Sequence, residues 1–252
     1  MLTLYNSQPT GNSYKARLLL SILQIPYTAV EVDIFNGENK SAAYQSINPL
    51  GKAPALRLED GSILTESNAI LSYLGSGTEY LPSDPLLRAR VLQWMFFEQR
   101  SHLPYIAVAR FQMHLLKKKP REEDLAIWRL HGHIALEIMN RHLAKAQWLA
   151  ADAFTIADIA LYAYTHVAPE GGFDLSKYPE IQQWLRRIES RPGYVPLMKT
   201  PPITARFLNK SFSMADFNDN VAIVTGARRG IGASEVRLLV APGARVLAIR
   251  RS

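Results

Sequence analysis

Cysteine is absent from the 252 residues. Disulfides, thiolate metal sites and a cysteine nucleophile are thereby excluded, so any thiol chemistry must use a thiol that a ligand brings. Also missing is an apolar run near the roughly eighteen residues that a membrane span requires. The opening MLTLYNSQPT has no basic stretch followed by an apolar one, so no secretory leader is read there and a cytoplasmic location is expected. Internal repeats and low-complexity segments are lacking. What is present, 48% hydrophobic and 20% charged residues, is the composition of an ordinary globular chain, long enough for one large domain or two small ones.

The net charge of +7 suggests nucleic acid until it is divided along the chain. Residues 1–200 hold 21 Lys and Arg against 19 Asp and Glu, and residues 201–252 hold 8 against 3. The basicity therefore belongs mostly to the tail. Lys117, Lys118 and Lys119 precede Pro120 and the acids Glu122, Glu123 and Asp124, which start a helix favourably. That reads as a solvated loop between helices, and no nucleic-acid partner is expected.

Residues 1–76 alternate short strands and helices. LTLY (2–5) and YTAVEVD (27–33) read as strands, and NSYKARLLLSILQ (12–24) as a helix with Ala16, Leu19, Leu20 and Leu23 on one face. KSAAYQSI (40–47) is a short helix. APALRLEDGSILTE is a hairpin turned at Asp60-Gly61, and SNAILSYLG is a helix ending at Gly75. The order βαβ, α, ββα builds a small sheet of mixed strand direction with helices on both faces. Beyond a linker at 75–85 the pattern is wholly helical, with amphipathic stretches at 86–116 and 122–149. A helix at 154–168 is apolar nearly all round and hence buried, and another runs over 178–194. Residues 200–213 read as a linker.

Three segments carry the chemistry. In NPLGKAPAL (48–56), Pro54 cannot donate to a ladder and is expected at a strand edge, leaving the Ala53 backbone for an extended peptide. In LTESNAIL (64–71), the Ser67 hydroxyl and the free N–H groups of a helix start suit a carboxylate, and Glu66 suits an ammonium. In SQPTGNSYKARLLL (7–20), hydroxyl and amide residues precede a helix whose N-terminus favours a thiolate. Each segment alone also fits an ordinary loop proline or helix cap. Their order and spacing within one pattern is the specific feature.

In that order, residues 1 to about 200 resemble a glutathione transferase, a thioredoxin-like α/β domain (1–76) followed by an all-helical domain (86–199). LGKAPAL is similar to the family's cis-proline segment and LTESNAIL to its γ-glutamyl-binding Glu-Ser. FTIADIALY is similar to its helix-starting capping box, with Thr155 and Asp158 three residues apart. The resemblance implies that Pro54 is cis, that Ala53 pairs with the cysteinyl unit of glutathione, and that Glu66 and Ser67 hold the γ-glutamyl end. Lys52, with Lys40 or Asn39, then faces the glycine carboxylate.

Family members use Tyr, Ser or Cys at the sulfur. Aligned by its helix, TGNSYKARLLL brings Thr10 to the usual Ser position, with Asn12 two residues on. That is similar to the bacterial nu class, in which Thr and Asn flank the sulfur and disulfide-bond reductase activity is found. Ser13 and Ser7 rank after these two. Glutathione is thus the implied co-substrate and a small electrophile or a disulfide its target, with homodimerisation and a detoxifying role. A glutathione-binding protein without turnover is the alternative. His102, read as a partly exposed helix residue, Tyr105 and Arg110 are placed near a second-substrate cleft. No metal is expected, since His131 and His133 lie two apart on a helix and face different ways.

The tail differs in kind. VAIVTGARRGIG (221–232) resembles the cofactor motif that opens short-chain dehydrogenases/reductases, with glycines that let backbone approach a pyrophosphate. GARVLAIRR then resembles that fold's second strand, with Arg250 and Arg251 where a 2′-phosphate could be met. The likeness covers only 214–252, and a doubly wound sheet needs several more strands. NAD(P) binding is therefore not expected, and the fragment is expected to be poorly ordered or to pack on the transferase or a partner.

Overall fold

The computed structural model describes residues 1–201, 204–207, 221–225 and 245–249. It divides into two units, Met1–Phe207 and Leu208–Ser252.

The first unit begins with the α/β layer. Strand β1 (Leu2–Asn6) runs parallel to β2 (Tyr27–Glu31) and antiparallel to β3 (Ala55–Arg57), which pairs antiparallel with β4 (Ile63–Thr65). Helix α1 (Gly11–Ile22) crosses between β1 and β2, a short α2 (Ala42–Gln45) precedes β3, and α3 (Ser67–Gly75) follows β4. This is the expected thioredoxin-like arrangement of mixed strands, with two departures.

The first departure lies in residues 200–213, expected as a linker. Thr204–Arg206 form a fifth strand, β5, parallel to β2 with Ala29 opposite Thr204, so the sheet order is β4-β3-β1-β2-β5. Without it β2 would be an edge with unpaired N–H and C=O groups. Second, β3 is interior, between β4 and β1. Pro54 is tolerated because it precedes the ladder, whose pairing starts at Ala55, and not because the strand is an edge.

Helix α1 is also more deeply packed than one apolar face suggests. Gly11 and all residues from Ser13 to Leu20 are buried, Lys15 and Arg17 included. The helix lies against α3 and against α7 (Ile156–Thr165) of the helical half.

That half comprises α4 (Pro85–Phe97), α5 (Leu103–Arg110), α6 (Glu122–Leu143), α7 and α8 (Pro179–Glu189). The single stretch expected over 86–116 is interrupted by π-helical turns at Glu98–His102 and Phe111–Leu115. Pro104 has no N–H to donate four residues back, so an interruption just before it has a local cause. The capping box of α7 is complete. The Thr155 side chain accepts the Ala157 N–H, and Asp158 accepts the Thr155 N–H at 2.9 Å. Every residue of α7 is buried, as its unbroken apolar character requires. No helix among the described residues is long and apolar enough to cross a membrane.

In the second unit, β6 (Val221–Thr225) and β7 (Arg245–Ile249) pair in parallel, Val221 opposite Arg245. The glycine-rich turn after Thr225, the helical pattern beyond it, Arg250 and Arg251 lie outside the described residues, and with them the expectation of disorder.

Candidate functional site

The β1–α1 loop, residues 7–10, is held at almost every residue. Ser7 donates its N–H to Ser13 Oγ at 3.0 Å and accepts at its carbonyl from Thr10 N and Thr10 Oγ1, at 3.0 and 2.8 Å. Gln8 donates its N–H to Glu31 Oε1 at 2.6 Å, and its carbonyl accepts from Arg17 Nη2 at 3.0 Å. Arg17 also donates to Asn6 Oδ1 and to the Leu197 carbonyl. The Pro9 carbonyl accepts from Arg110 Nη1 at 2.7 Å. Thr10 is the N-cap of α1, its Oγ1 accepting from Ser13 N at 3.4 Å. Asn12 donates its N–H to the hydroxyl of Tyr164 at 3.2 Å.

The four hydroxyl and amide candidates for the sulfur thus share one loop and helix turn, and they differ in exposure. Ser7 and Ser13 are buried, whereas Thr10 and Asn12 are half-exposed at the first turn of α1. Gly11 between them has a steric reason. A Cβ there would stand 2.7 Å from the Tyr164 ring and 2.8 Å from the Ala163 carbonyl oxygen.

The Ala53–Pro54 peptide is cis. The carbonyl just before it, that of Lys52, accepts from Tyr44 Oη at 2.9 Å and Asn48 Nδ2 at 2.6 Å. These two anchors escaped the sequence reading, although Asn48 lies within the quoted segment. The Lys40 and Lys52 side chains are exposed. Asn39 donates its amide to the Gly51 carbonyl at 2.6 Å, so that group already has an internal acceptor.

Glu66 is exposed and takes φ 65° and ψ 115°, a region that L-residues rarely adopt and that costs on the order of 1–3 kcal/mol. Strain of that kind persists where surrounding structure imposes it. Here it turns the chain from β4 into α3, so that Ser67 becomes the first residue of the helix. The Ser67 hydroxyl is buried and donates to Asn12 Oδ1 at 3.3 Å. The carboxylate-suited start of α3 and the thiolate-suited start of α1 are thereby hydrogen-bonded to each other.

The residues expected around a second substrate are placed otherwise. His102 is fully buried, not partly exposed, because the π-helical turn carries it into the packing against α7, with Nε2 2.9 Å from Thr165 Oγ1. Burial first, and the Lys15 charge second, lower its pKa to about 3. Arg110 is buried too, paired through Nε with Glu170 Oε2 at 2.6 Å and bonded to Pro9 as above. Tyr105 is half-buried with its ring stacked on His131 of α6, centroids 4.7 Å apart. Among the described residues no group of three or more His, Asp or Glu could hold a metal ion.

Comparison with known proteins bears on the family. The N-terminal domain model of glutathione S-transferases matches residues 11–76, and their C-terminal domain model matches residues 112–192. The chain is 30% identical over 202 residues to the disulfide-bond oxidoreductase YfcG of Escherichia coli K12, spanning 77% of this chain and 92% of that one. It is 28% identical over 208 residues to the glutathione S-transferase GstB of the same strain, spanning 80% and 99%. Among solved structures, a glutathione S-transferase from Pseudomonas fluorescens Pf-5 superposes with a TM-score of 0.76 at 49% identity, over 79% of this chain and 99% of that one. With both domains matched in chain order and relatives spanned almost from end to end, the chain belongs to the glutathione S-transferase family.

Proposed function

We propose that the protein binds glutathione and stabilises its thiolate for attack on a small electrophile. The observation that carries this reading is the Ser67–Asn12 hydrogen bond, which joins two helix N-termini in one site. One N-terminus suits a carboxylate, and the other lowers the pKa of a thiol. In this reading Glu66 and Ser67 take the γ-glutamyl end, the backbone of Ala53 beside Pro54 takes the cysteinyl unit, and Lys52 and Lys40 neutralise the glycine carboxylate. Thr10, whose hydroxyl proton goes to the Ser7 carbonyl in the free protein and turns to the sulfur when glutathione binds, ranks first as the sulfur donor, followed by Asn12 and then by the buried Ser13 and Ser7. Each unit by which the thiol pKa falls corresponds to about 1.4 kcal/mol. The thiolate then forms a carbon–sulfur bond as the leaving group departs, and the thiol proton passes to solvent. Of the residues expected at the second substrate, Tyr105 alone keeps exposed surface.

Disulfide reduction is the second reading. It is favoured by the Thr10–Asn12 pair and by the name of the Escherichia coli relative, a disulfide-bond oxidoreductase. There the thiolate attacks a disulfide sulfur, and a second glutathione completes the exchange. We also propose a homodimer, supported by the exposed Tyr73 of α3 and Leu86 and Phe96 of α4, with detoxification as its role. Residues 1–76 form the glutathione-binding domain, 86–199 the helical domain, and 214–252 a segment that resembles the opening of a dinucleotide-binding fold.

Calorimetry with glutathione, followed by conjugation to an aryl halide and glutathione-dependent reduction of a small disulfide, tests the proposal. Saturable binding with a lowered thiol pKa is expected, and the relative rates choose between the two reactions. Binding without turnover would leave a glutathione-binding protein. No heat and no shift of the thiol pKa would overturn the reading.

A further inference from the structure

Behind Ser67 lies an ion pair that neither reaction requires. Lys15 Nζ, from α1, stands 2.9 Å from Glu98 Oε1 of the first π-helical turn, and both side chains are fully inaccessible. Replacing such a buried pair with apolar residues is often neutral or stabilising, so stability alone does not account for it. The surroundings are more informative. The ammonium directs its three donors to Glu98, to Asn68 Oδ1 at 3.2 Å and to Ser67 Oγ at 3.3 Å. Glu98 Oε2 accepts from Asn68 Nδ2 at 3.0 Å and Gln99 Nε2 at 2.9 Å. Burial lowers the Lys15 pKa, and Glu98 opposes that shift.

An ammonium can only donate. Ser67 Oγ therefore accepts from Lys15, and its single proton is left for a partner on the other side, which in this structure is Asn12 Oδ1. The pair also lies with its positive end against the first residue of α3, adding to the partial positive charge of the helix start.

We propose that Lys15, braced by Glu98, is a positioning residue for the γ-glutamyl carboxylate, an inference that rests on the glutathione reading above. It fixes the Ser67 hydroxyl with its proton outward and places a buried positive charge behind the site that receives the carboxylate. The proton that reaches Asn12 in the free protein is the one the carboxylate takes, so carboxylate binding releases Asn12 Oδ1 at the sulfur end.

Lys15→Met alone leaves a buried carboxylate unpaired and is expected to fold poorly. The double variant Lys15→Met/Glu98→Met removes both charges and is expected to melt near the wild type. Two ligands are compared by calorimetry on the wild type and the double variant. One is glutathione, and the other is 4-aminobutyryl-cysteinylglycine, which lacks only the γ-glutamyl carboxylate. The double variant is expected to bind glutathione about 10-fold more weakly, the order expected for one lost contact to a charged group, and the analogue within about two-fold of wild type. A purely structural pair would weaken both ligands alike or neither, and either result overturns the proposal. If the double variant does not fold, Lys15→Met/Glu98→Gln, which keeps a neutral side-chain acceptor for Asn68 and Gln99, is read against the same two ligands with the same two outcomes. Absence of glutathione binding by the wild type overturns this inference and the functional reading together, whereas wild-type binding with equal losses for both ligands overturns this inference alone.

Discussion

Thr10 and Ser13 are three residues apart and both hydroxylic, yet their surroundings assign them different work. Ser13 Oγ is buried and accepts the Ser7 N–H, so Ser13→Ala would leave that buried donor unsatisfied. A loss of about 1–3 kcal/mol in unfolding free energy is expected, with a small change in turnover per folded molecule. Thr10 is half-exposed at the helix start. Thr10→Ala removes an N-cap, which costs about 1 kcal/mol, and a donor to the sulfur, which costs roughly 10-fold or more in kcat/KM if that contact is charge-assisted. Thr10→Ser should restore most of the activity, and Ser7→Ala should reduce it less than Thr10→Ala. Denaturant melts beside steady-state rates separate the two effects. If Ser13→Ala or Ser7→Ala proves the more damaging to turnover, the sulfur contact belongs there and the helix alignment that ranks Thr10 first is wrong.

Elements were legible where their cause is local. The Thr155–Asp158 capping box, the Asp60-Gly61 turn and the start of α3 at Ser67 each depend on residues within a few positions, and each appears in the structure. Strand β5 was not legible, because its reason is the open edge of β2, far away in sequence. The π-helical turn at Glu98–His102 was also missed. His102 was expected as a partly exposed helix residue, whereas the turn carries Glu98 and His102 inward together. Thr165 Oγ1 donates to the Leu161 carbonyl at 2.7 Å, so His102 Nε2 must be the donor to Thr165, and the histidine is neutral with a bare, buried Nδ1. Its folded pKa of about 3 lies below the unfolded value near 6.5. The folded state therefore binds fewer protons, and the stability held above pH 6.5 is lost as pH falls towards 3, by up to about 1.4 kcal/mol per unit. His166, lowered to about 4 chiefly by burial, adds in the same direction. Urea melts between pH 7 and 4 should show this decline, and His102→Gln should flatten the slope by about 1.4 kcal/mol per pH unit. An unchanged slope would mean that His102 takes up no proton on unfolding.

On the scale of the whole folded unit, the sequence disclosed where each half of the site begins but not what ties the halves together. Ser67, Pro54 and Thr10 stand in recognisable local patterns. Lys15 with Glu98, Arg110 with Pro9, and Tyr164 with Asn12 are separated by 83, 101 and 152 residues, and no periodicity reports a contact at that range. Lys15 and Arg17 are the two charges of α1, and both are buried beside Leu18, Leu19 and Leu20. A loop held this way depends on the helical half for its shape, and Arg110 is where that dependence is most exposed to test. Arg110→Met removes the donor to the Pro9 carbonyl and leaves Glu170, which is 32% exposed, to solvent and to His114 Nε2 at 3.3 Å. The Pro9 carbonyl is only half-buried, so its lost bond costs about 1 kcal/mol, the low end for an unmade bond to a charged donor. The loss should concentrate in the loop, so amide hydrogen exchange at Thr10, Gly11 and Asn12 is expected to accelerate more than exchange in α7 or α8. Activity is expected to fall several-fold through kcat if loop geometry positions the sulfur. Glu170→Gln keeps a neutral acceptor for Arg110 and should show a weaker form of both effects. Uniform acceleration of exchange across the unit would instead mean that Arg110 supports global packing, and the loop would then owe its conformation to Arg17, Glu31 and Ser13 alone.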